Sequence, residues 1–297
     1  MPSRRAFIRQ AAVGLSLLST PALVRGSMPP QLPRRPIPGT NDSLPVIGLG
    51  NSNAFRQGDM SSSSALLDLF HQSGGAYVDC MGDSRFIVAR AAKDLGIGGE
   101  LFLGTYFSGD DEGRMRESIQ AVLEITGKKQ LDLVHSYVEY AGENWDMFRR
   151  WKDEGLTRYI GIARHSQRYY DAMIKMMDTG TVDILQVNYS PLETAADRAV
   201  LPKALENGVA VTVNRPFING QYFSKVKGHD LPAWAAEFDC RSWAQLSLKY
   251  ILSHPAVTCV LTETANPKHA RDNIGGGFGR LPSEEERQKI AKYLQGL

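Results

Sequence analysis

Eight short apolar runs punctuate the chain: Val46–Leu49, Ala76–Val78, Leu101–Leu103, Leu131–Val134, Tyr159–Ala163, Ile184–Val187, Val209–Val213 and Val257–Leu261. Each has the length and near-continuous apolar character of a strand covered on both faces, as parallel sheets require. Helical patterns separate them. Ser64 to Ser73 carries Leu66, Leu67, Leu69 and Phe70 and stops at Gly74-Gly75, as a helix C-terminus should. Met115 to Ile125 places Met115, Ile119, Val122 and Leu123 on one face, and Trp145, Phe148 and Trp151 repeat the pattern before Gly155. Further helices are expected at Tyr169–Met177, Val200–Leu205 and Glu284–Leu294, with an irregular insertion from Gly220 to Cys240. The alternation predicts an α/β fold, a (β/α)8 TIM barrel. A doubly wound open sheet is the competitor, but Gly48-Leu49-Gly50 runs on into Asn51-Ser52-Asn53-Ala54 and never completes a dinucleotide fingerprint.

The length of 297 residues would suit two domains of about 150 residues or one barrel of about 250. The N-terminus accounts for the surplus. Ser3-Arg4-Arg5-Ala6-Phe7-Ile8-Arg9 precedes an uncharged, largely apolar stretch from Ala11 to Val24. That pattern reads as a secretory signal of the twin-arginine type, and it is too short for a transmembrane helix. Residues 1–26 are thus expected to be the signal peptide, 27–39 a proline-rich, extended and poorly packing leader, and 40–297 the barrel. The reading implies the twin-arginine export machinery as a partner and a periplasmic or secreted destination, with no stable membrane insertion after cleavage. Removing the four arginines of residues 1–26 takes the formal charge from +2 to about −2. Such a balance does not suit nucleic-acid binding through phosphate neutralisation. Cys80, Cys240 and Cys259 are too few for a disulfide scaffold, and no pair has metal-ligand spacing. No metal is expected.

In a barrel of this kind chemistry gathers at the C-terminal strand ends. The residues there are Gly50-Asn51-Ser52, Asp79-Cys80-Met81, Thr105-Tyr106, His135-Ser136-Tyr137, Ala163-Arg164-His165, Gln186-Val187-Asn188-Tyr189, Asn214-Arg215-Pro216 and Thr262-Glu263-Thr264. The ring mixes carboxylate, hydroxyl, imidazole and guanidinium groups. It contains neither a metal-ligand cluster nor a nucleophile elbow.

Several segments in order resemble the aldo/keto reductase family, from Pro36 to the C-terminus. They are Leu44-Pro45-Val46-Ile47-Gly48-Leu49-Gly50, Tyr77-Val78-Asp79 with Gly82-Asp83-Ser84, Leu131-Asp132-Leu133-Val134, Glu154 to Ile162, Val182 to Ser190, Asn266-Pro267 and Asp272-Asn273. The resemblance implies a barrel oxidoreductase that uses NADP(H) on a carbonyl or sugar-like small molecule. Its chemistry uses a Tyr acid, a Lys that lowers the Tyr pKa, an Asp paired with that Lys, and a His that orients the carbonyl. Asp79 matches the aspartate. Met81-Gly82 stands where the Tyr should, Thr105-Tyr106 where the Lys should, and Tyr137 at the His position. The nicotinamide-binding pair reads Ala163-Arg164, the stacking aromatic reads Asn214, and an expected arginine falls on His269. The catalytic candidates are Asp79, Tyr106, Tyr137 and His135. For the cofactor, the resemblance points to Gln186, Asn188, Arg215, Phe217, Asp272 and Asn273. The alternative is a non-redox periplasmic barrel, either a small-ligand binding protein or a degenerate enzyme.

Local readings remain open. Asp79 could act as a base or be paired with Arg164 or Arg215. His135 lies two residues from Tyr137, so both face one side of their strand; it could be a buried histidine bonded to a polar neighbour. Tyr106 and Tyr137 could supply a phenolic proton, with Arg164 or His165 as the cation that lowers the pKa, or offer stacking surfaces for sugar rings. Cys80 and Cys259 are expected as buried, inert thiols, Gly275-Gly276-Gly277 as a flexible turn and Arg168-Tyr169-Tyr170 as a solvated helix start.

Overall fold

The computed structural model describes residues 31–297; the twin-arginine reading of residues 1–26 lies outside them. Two three-residue strands, β1 (Arg34–Pro36) and β2 (Ser43–Pro45), pair antiparallel as a hairpin. Eight parallel strands follow: β3 (Ile47–Leu49), β4 (Tyr77–Cys80), β5 (Phe102–Tyr106), β6 (Leu131–Tyr137), β7 (Thr157–Ala163), β8 (Ile184–Asn188), β9 (Ala210–Asn214) and β10 (Val257–Thr262). They close into a barrel, with β10 pairing both β9 and β3. Each apolar run of the sequence is one of these strands.

The helices follow from their caps and apolar faces. Asp59 caps Met60–Gln72 by accepting from the Ser61 and Ser62 amides, and Asp111 caps Glu112–Thr126 through the Arg114 amide. Ser283 and Glu286 form a reciprocal capping box at the start of Glu284–Gly296. The stretch expected to be irregular holds a short helix, Gln221–Val226, and a 3-10 segment, Ala233–Phe238.

Inward side chains fill the barrel. Tyr77, Phe102, Leu133, Tyr159, Ile184, Ala210, Cys259 and Leu261 form one cluster with Ile37 and Leu44 of the hairpin. The described part of the leader, residues 31–39, includes the extended strand β1 and does pack: Leu32 and Ile37 are buried, as is Leu44 of β2 just beyond it. The open N-terminal end of a barrel exposes apolar side chains, and capping it with Ile37 and Leu44 gains about 1.5–3 kcal/mol for each. Polar ties hold the plug. Arg35 donates to the carbonyls of Leu252 and Val257, and the Asp42 carboxylate accepts from Arg158 and Tyr159.

Cys80 and Cys259 are free and buried on β4 and β10, with β3 between them. Burial pushes both thiols up, which keeps them inert. The glycine run ends the helix Pro267–Gly275 as a packed turn: a Cβ on Gly277 would come within 2.6 Å of the Leu32 side chain. Gly275 and Gly276 are as closely packed, against Gln245 and Leu248, so the run serves close approach rather than flexibility.

Candidate functional site

Strand alternation points Tyr77 and Asp79 of β4, Tyr106 of β5, His135 and Tyr137 of β6 and Gln186 of β8 into the barrel, with Asp79, Tyr106, Tyr137 and Gln186 at its mouth. Tyr106 Oη lies 2.8 Å from Asp79 Oδ2 and 2.7 Å from Gln186 Oε1, while Tyr77 Oη donates to Asp79 Oδ1 at 3.3 Å. The phenol of Tyr106 has one proton for two acceptors. The Asn214 amide donates to the same Gln186 Oε1 at 3.1 Å, so Gln186 stands as an acceptor and the phenol proton is shared between Asp79 and Gln186. The resemblance places a lysine at the end of β5. Thr105 there lies against the helical layer with Cys80 and Ile119, and the inward neighbour of Asp79 is Tyr106, a neutral donor in place of a cation.

The consequence is electrostatic. Asp79 is 4% exposed, and its pKa is raised to about 7 by burial, against the opposing hydrogen bonds from the Tyr106 and Tyr77 phenols and the influence of the nearby Gln186 amide. Neither Arg164 nor Arg215 pairs with it. Arg164 is held by Glu139, with its Nε 2.7 Å from Oε2, and Arg215 donates to the His165 carbonyl at 3.1 Å. Burial also pushes the phenols of Tyr77 and Tyr106 well above their usual range.

His135 lies beneath this centre. Its ring stacks on Tyr106 with centroids 5.0 Å apart, and Nε2 is 3.9 Å from Asp79 Oδ1. That separation is too long for a hydrogen bond, and both ring nitrogens are buried without a partner. The expected bond to a polar neighbour is therefore absent, and the ring is a neutral spacer whose pKa burial drives down to about 3. Gly161 leaves room for it, since a Cβ there would lie 2.7 Å from His135 Nδ1.

Tyr137 stands at the rim, half-buried, its Oη 3.8 Å from Met81 Sδ. The Arg164 guanidinium lies 3.8 Å above the ring centroid, the cation that the sequence offered as activator. Burial nevertheless raises the Tyr137 pKa, and the Arg164 charge only partly opposes it. A cation on the face of the ring, already paired with Glu139, is a poor activator of the hydroxyl.

Three concavities share this end of the barrel. The mouth, about 210 Å³, is lined by Asn51, Asp79, Tyr106, Tyr137, Gln186 and Glu263 among others. A cleft of about 320 Å³ beyond Glu263 holds Phe217, Phe223, Trp243, His269, Asp272 and Asn273. On the other side a cleft of about 900 Å³ includes Asn188 and Arg215. The six residues assigned to the cofactor by resemblance are therefore divided: Gln186 at the mouth, Phe217, Asp272 and Asn273 in the aromatic cleft, Asn188 in the large cleft, and Arg215 on the wall between that cleft and the mouth. Among the described residues no group of three His, Cys, Asp or Glu side chains gathers as metal ligands.

The sequence reading names Glu263 among the strand-end residues without giving it a role, and passes over Tyr77, which its spacing of two from Asp79 could have revealed. Glu263 is a surface residue in a crowded setting that raises its carboxyl, and its charge in turn pushes Asp79 upward.

The frame is thus an eight-stranded parallel barrel with a buried carboxylate at the end of its second strand and clefts on either side of its mouth. The pattern of the Aldo/keto reductase family matches residues 46–292, and the chain belongs to that family. It is 26% identical over 249 residues to an aldo-keto reductase of Mycolicibacterium vanbaalenii, covering 79% of this chain and 83% of that protein. Among solved structures it is similar to the holo form of an aldo-keto reductase from Bacillus halodurans, with TM-score 0.70, 19% identity, and coverage of 89% and 96% of the two chains. It is also similar to an aldo/keto reductase from Klebsiella pneumoniae in complex with NADP and acetate, with TM-score 0.67, 19% identity, and coverage of 86% and 94%.

Proposed function

We propose that this protein is an exported oxidoreductase of the aldo/keto reductase type, using NADP(H) on a carbonyl or sugar-like small molecule with an altered proton-transfer centre. The observation that carries the reading is Asp79, a buried carboxyl at the barrel mouth with a pKa near 7 and no cationic partner. A group of that pKa can give or take a proton at neutral pH.

The residues present fit a nicotinamide nucleotide. Phe217, Phe223 and Trp243 offer aromatic faces, and the helix Pro267–Gly275 starts beside them with its Asn266 cap. At the mouth, Gln186 Nε2 and Asn214 Oδ1 are a buried donor and acceptor without partners, the complement of a carboxamide. Gln186 and Asn214 would hold the nicotinamide end, and Phe217, Asp272 and Asn273 the adenosine end. The nucleotide supplies hydride transfer; the protein supplies position and the proton. Asp79 holds that proton at Oδ2 and passes it through the Tyr106 hydroxyl, 2.8 Å away, toward a substrate oxygen at the mouth. Tyr137 and Met81 flank the entrance and exclude water from one side.

Quenching of protein or NADPH fluorescence on mixing tests this reading directly, together with turnover that collapses in Asp79→Asn. One observation favours a second reading, a non-redox ligand-binding barrel: Glu263 sets a carboxylate between the mouth and the aromatic cleft, where a pyrophosphate would run. Absence of nucleotide binding with the fold intact would decide for it. Export by the twin-arginine route rests on Arg4, Arg5, Phe7 and Ile8. It predicts a periplasmic or secreted mature protein whose export fails when both arginines become lysine, as cell fractionation would show.

A further inference from the structure

A concavity larger than the mouth lies beside it, over the loops that follow β7, β8 and β9, and has a volume of about 900 Å³ against about 210 Å³. Its wall carries Arg164, His165, Arg168 and Arg215 against one lining carboxylate, Glu193. Arg164 is neutralised from outside the cleft by Glu139. The other two arginines are not. Arg168 reaches only the Tyr169 hydroxyl and ring. Arg215 has Glu193 no closer than 4.0 Å, and its Nε is buried without a partner. Glu193 is itself turned to Asn188, which donates to it at 3.0 Å.

Two further observations mark the cleft as built for a ligand. Arg215 sits in the left-handed region at φ 52°, a conformation that costs a non-glycine residue about 1–3 kcal/mol and persists only where its surroundings hold it. Here it places the guanidinium against the His165 carbonyl, over the cleft. The field there is positive: burial first, then Arg215, Arg164 and Arg168, lower the His165 pKa, and only Glu193 opposes them.

We propose that this cleft binds an oxyanion, a carboxylate or a phosphate ester, carried by the substrate. A guanidinium fork matches either group with two parallel hydrogen bonds. Because Arg164, His165 and Arg215 line both the cleft and the mouth, an anionic end held by Arg168 and Arg215 leaves the rest of a small molecule lying toward Asp79. The substrate class is then an acidic carbonyl or hydroxy compound, not a neutral sugar. This assignment rests on the mouth being the reaction centre, but the site itself can be tested without nucleotide or turnover.

The test is titration of the His165 ring by NMR, assigned with His165→Gln, on the mature protein at constant ionic strength. Inorganic phosphate and succinate are the probes, with chloride as reference. An anion seated between Arg168 and Arg215 cancels part of their field, so the His165 pKa rises saturably with one or both probes, and their relative affinity tells phosphate from carboxylate. Arg168→Gln, at an exposed position where folding is not at stake, and Arg215→Gln each weaken the response at least ten-fold, while Arg215→Lys keeps part of it. A flat His165 titration with both probes, or an undiminished response in Arg168→Gln, overturns the proposal. A response to adenosine 2′,5′-bisphosphate at far lower concentration than to a simple phosphate ester also overturns it, because the cleft would then belong to the nucleotide. Failure of NADPH to bind leaves this result standing and counts only against the redox reading.

Discussion

The two ends of the barrel treat buried carboxylates in opposite ways. At the closed end, Asp132 is 3% exposed and surrounded by donors: Lys128 Nζ at 3.0 Å, Arg158 at 3.1 Å and the Leu103 amide at 2.9 Å. Asp42 shares the Arg158 guanidinium, and the Tyr159 hydroxyl first, then Arg158, hold its carboxyl below the usual range against the opposing effect of burial. At the open end, Asp79 is as deeply buried but meets only phenols and an amide, and its pKa climbs to about 7. Cations make a buried acid a fixed anion; neutral donors leave it able to exchange a proton. The closed end is built to stay as it is, the open end to change state.

The largest effect should come from breaking the closed end. Asp132→Ala leaves the Leu103 amide without its partner and the Lys128 ammonium with only the Leu101 and Gly99 carbonyls, and removal of one partner from a buried pair costs about 3–5 kcal/mol. Urea unfolding of the variant should show that loss; a change below about 1 kcal/mol would remove the contrast.

At the open end the corresponding substitution should go the other way. Folding raises the Asp79 pKa from 3.8 to about 7, so between those values the native state holds a proton that the unfolded chain releases. Asp79 therefore contributes a loss of stability as pH rises from about 4 to about 7, and none beyond. The full swing is on the order of 4 kcal/mol, from about 1.4 kcal/mol per pKa unit. Asp79→Asn cannot ionise, so denaturation curves at a series of pH values should show it gaining on the wild type across that window. Parallel curves would mean that Asp79 is an ordinary carboxylate. Activity should fall by about 10²–10⁴ in the same variant if the group moves the proton.

A smaller effect is expected where β7 passes His135. The Cβ introduced by Gly161→Ala would lie 2.6 Å from the Ile184 carbonyl oxygen and 2.7 Å from His135 Nδ1. Neither backbone nor a fully buried ring can yield easily, and overpacking of this kind costs about 1–3 kcal/mol. Thermal unfolding measures it, and an unchanged midpoint would show that the ring has room to move.

The eight strands were legible because a parallel strand covered on both faces needs a short apolar run, and Ile184–Asn188 or Val257–Thr262 could hardly be anything else. The hairpin was not. Arg34-Arg35-Pro36 is a strand only because β2 lies beside it and the barrel end needs covering, and neither condition is local. The same division holds at the site. Asp79 was evident from its place at a strand end, and Tyr106 became a candidate from the departure at the lysine position. The bond between the two rests on a barrel register that brings residues 27 apart to 2.8 Å. The arginine cleft was illegible because Arg168, Glu193 and Arg215 belong to three separate loops, and Arg168 in its own segment reads as a solvated helix start.

Tyr106→Phe isolates the hydrogen bond that meets Asp79 where the resemblance places a cation. The phenol stabilises the charged form of Asp79 and is the strongest of the hydrogen bonds opposing burial. Its loss should cost about 0.5–1.5 kcal/mol in stability, the smallest change of the four. It should also move the Asp79 pKa upward from about 7, because a carboxylate without its best donor is harder to charge. The carboxyl resonance of Asp79, followed by carbon NMR, should titrate at higher pH in the variant, and the pH profile of turnover should follow it. A downward displacement would mean that Tyr106 accepts from a protonated Asp79. The phenol would then favour the neutral acid, with the carboxyl as donor to Tyr106, the arrangement from which a relay through the phenol to the substrate starts.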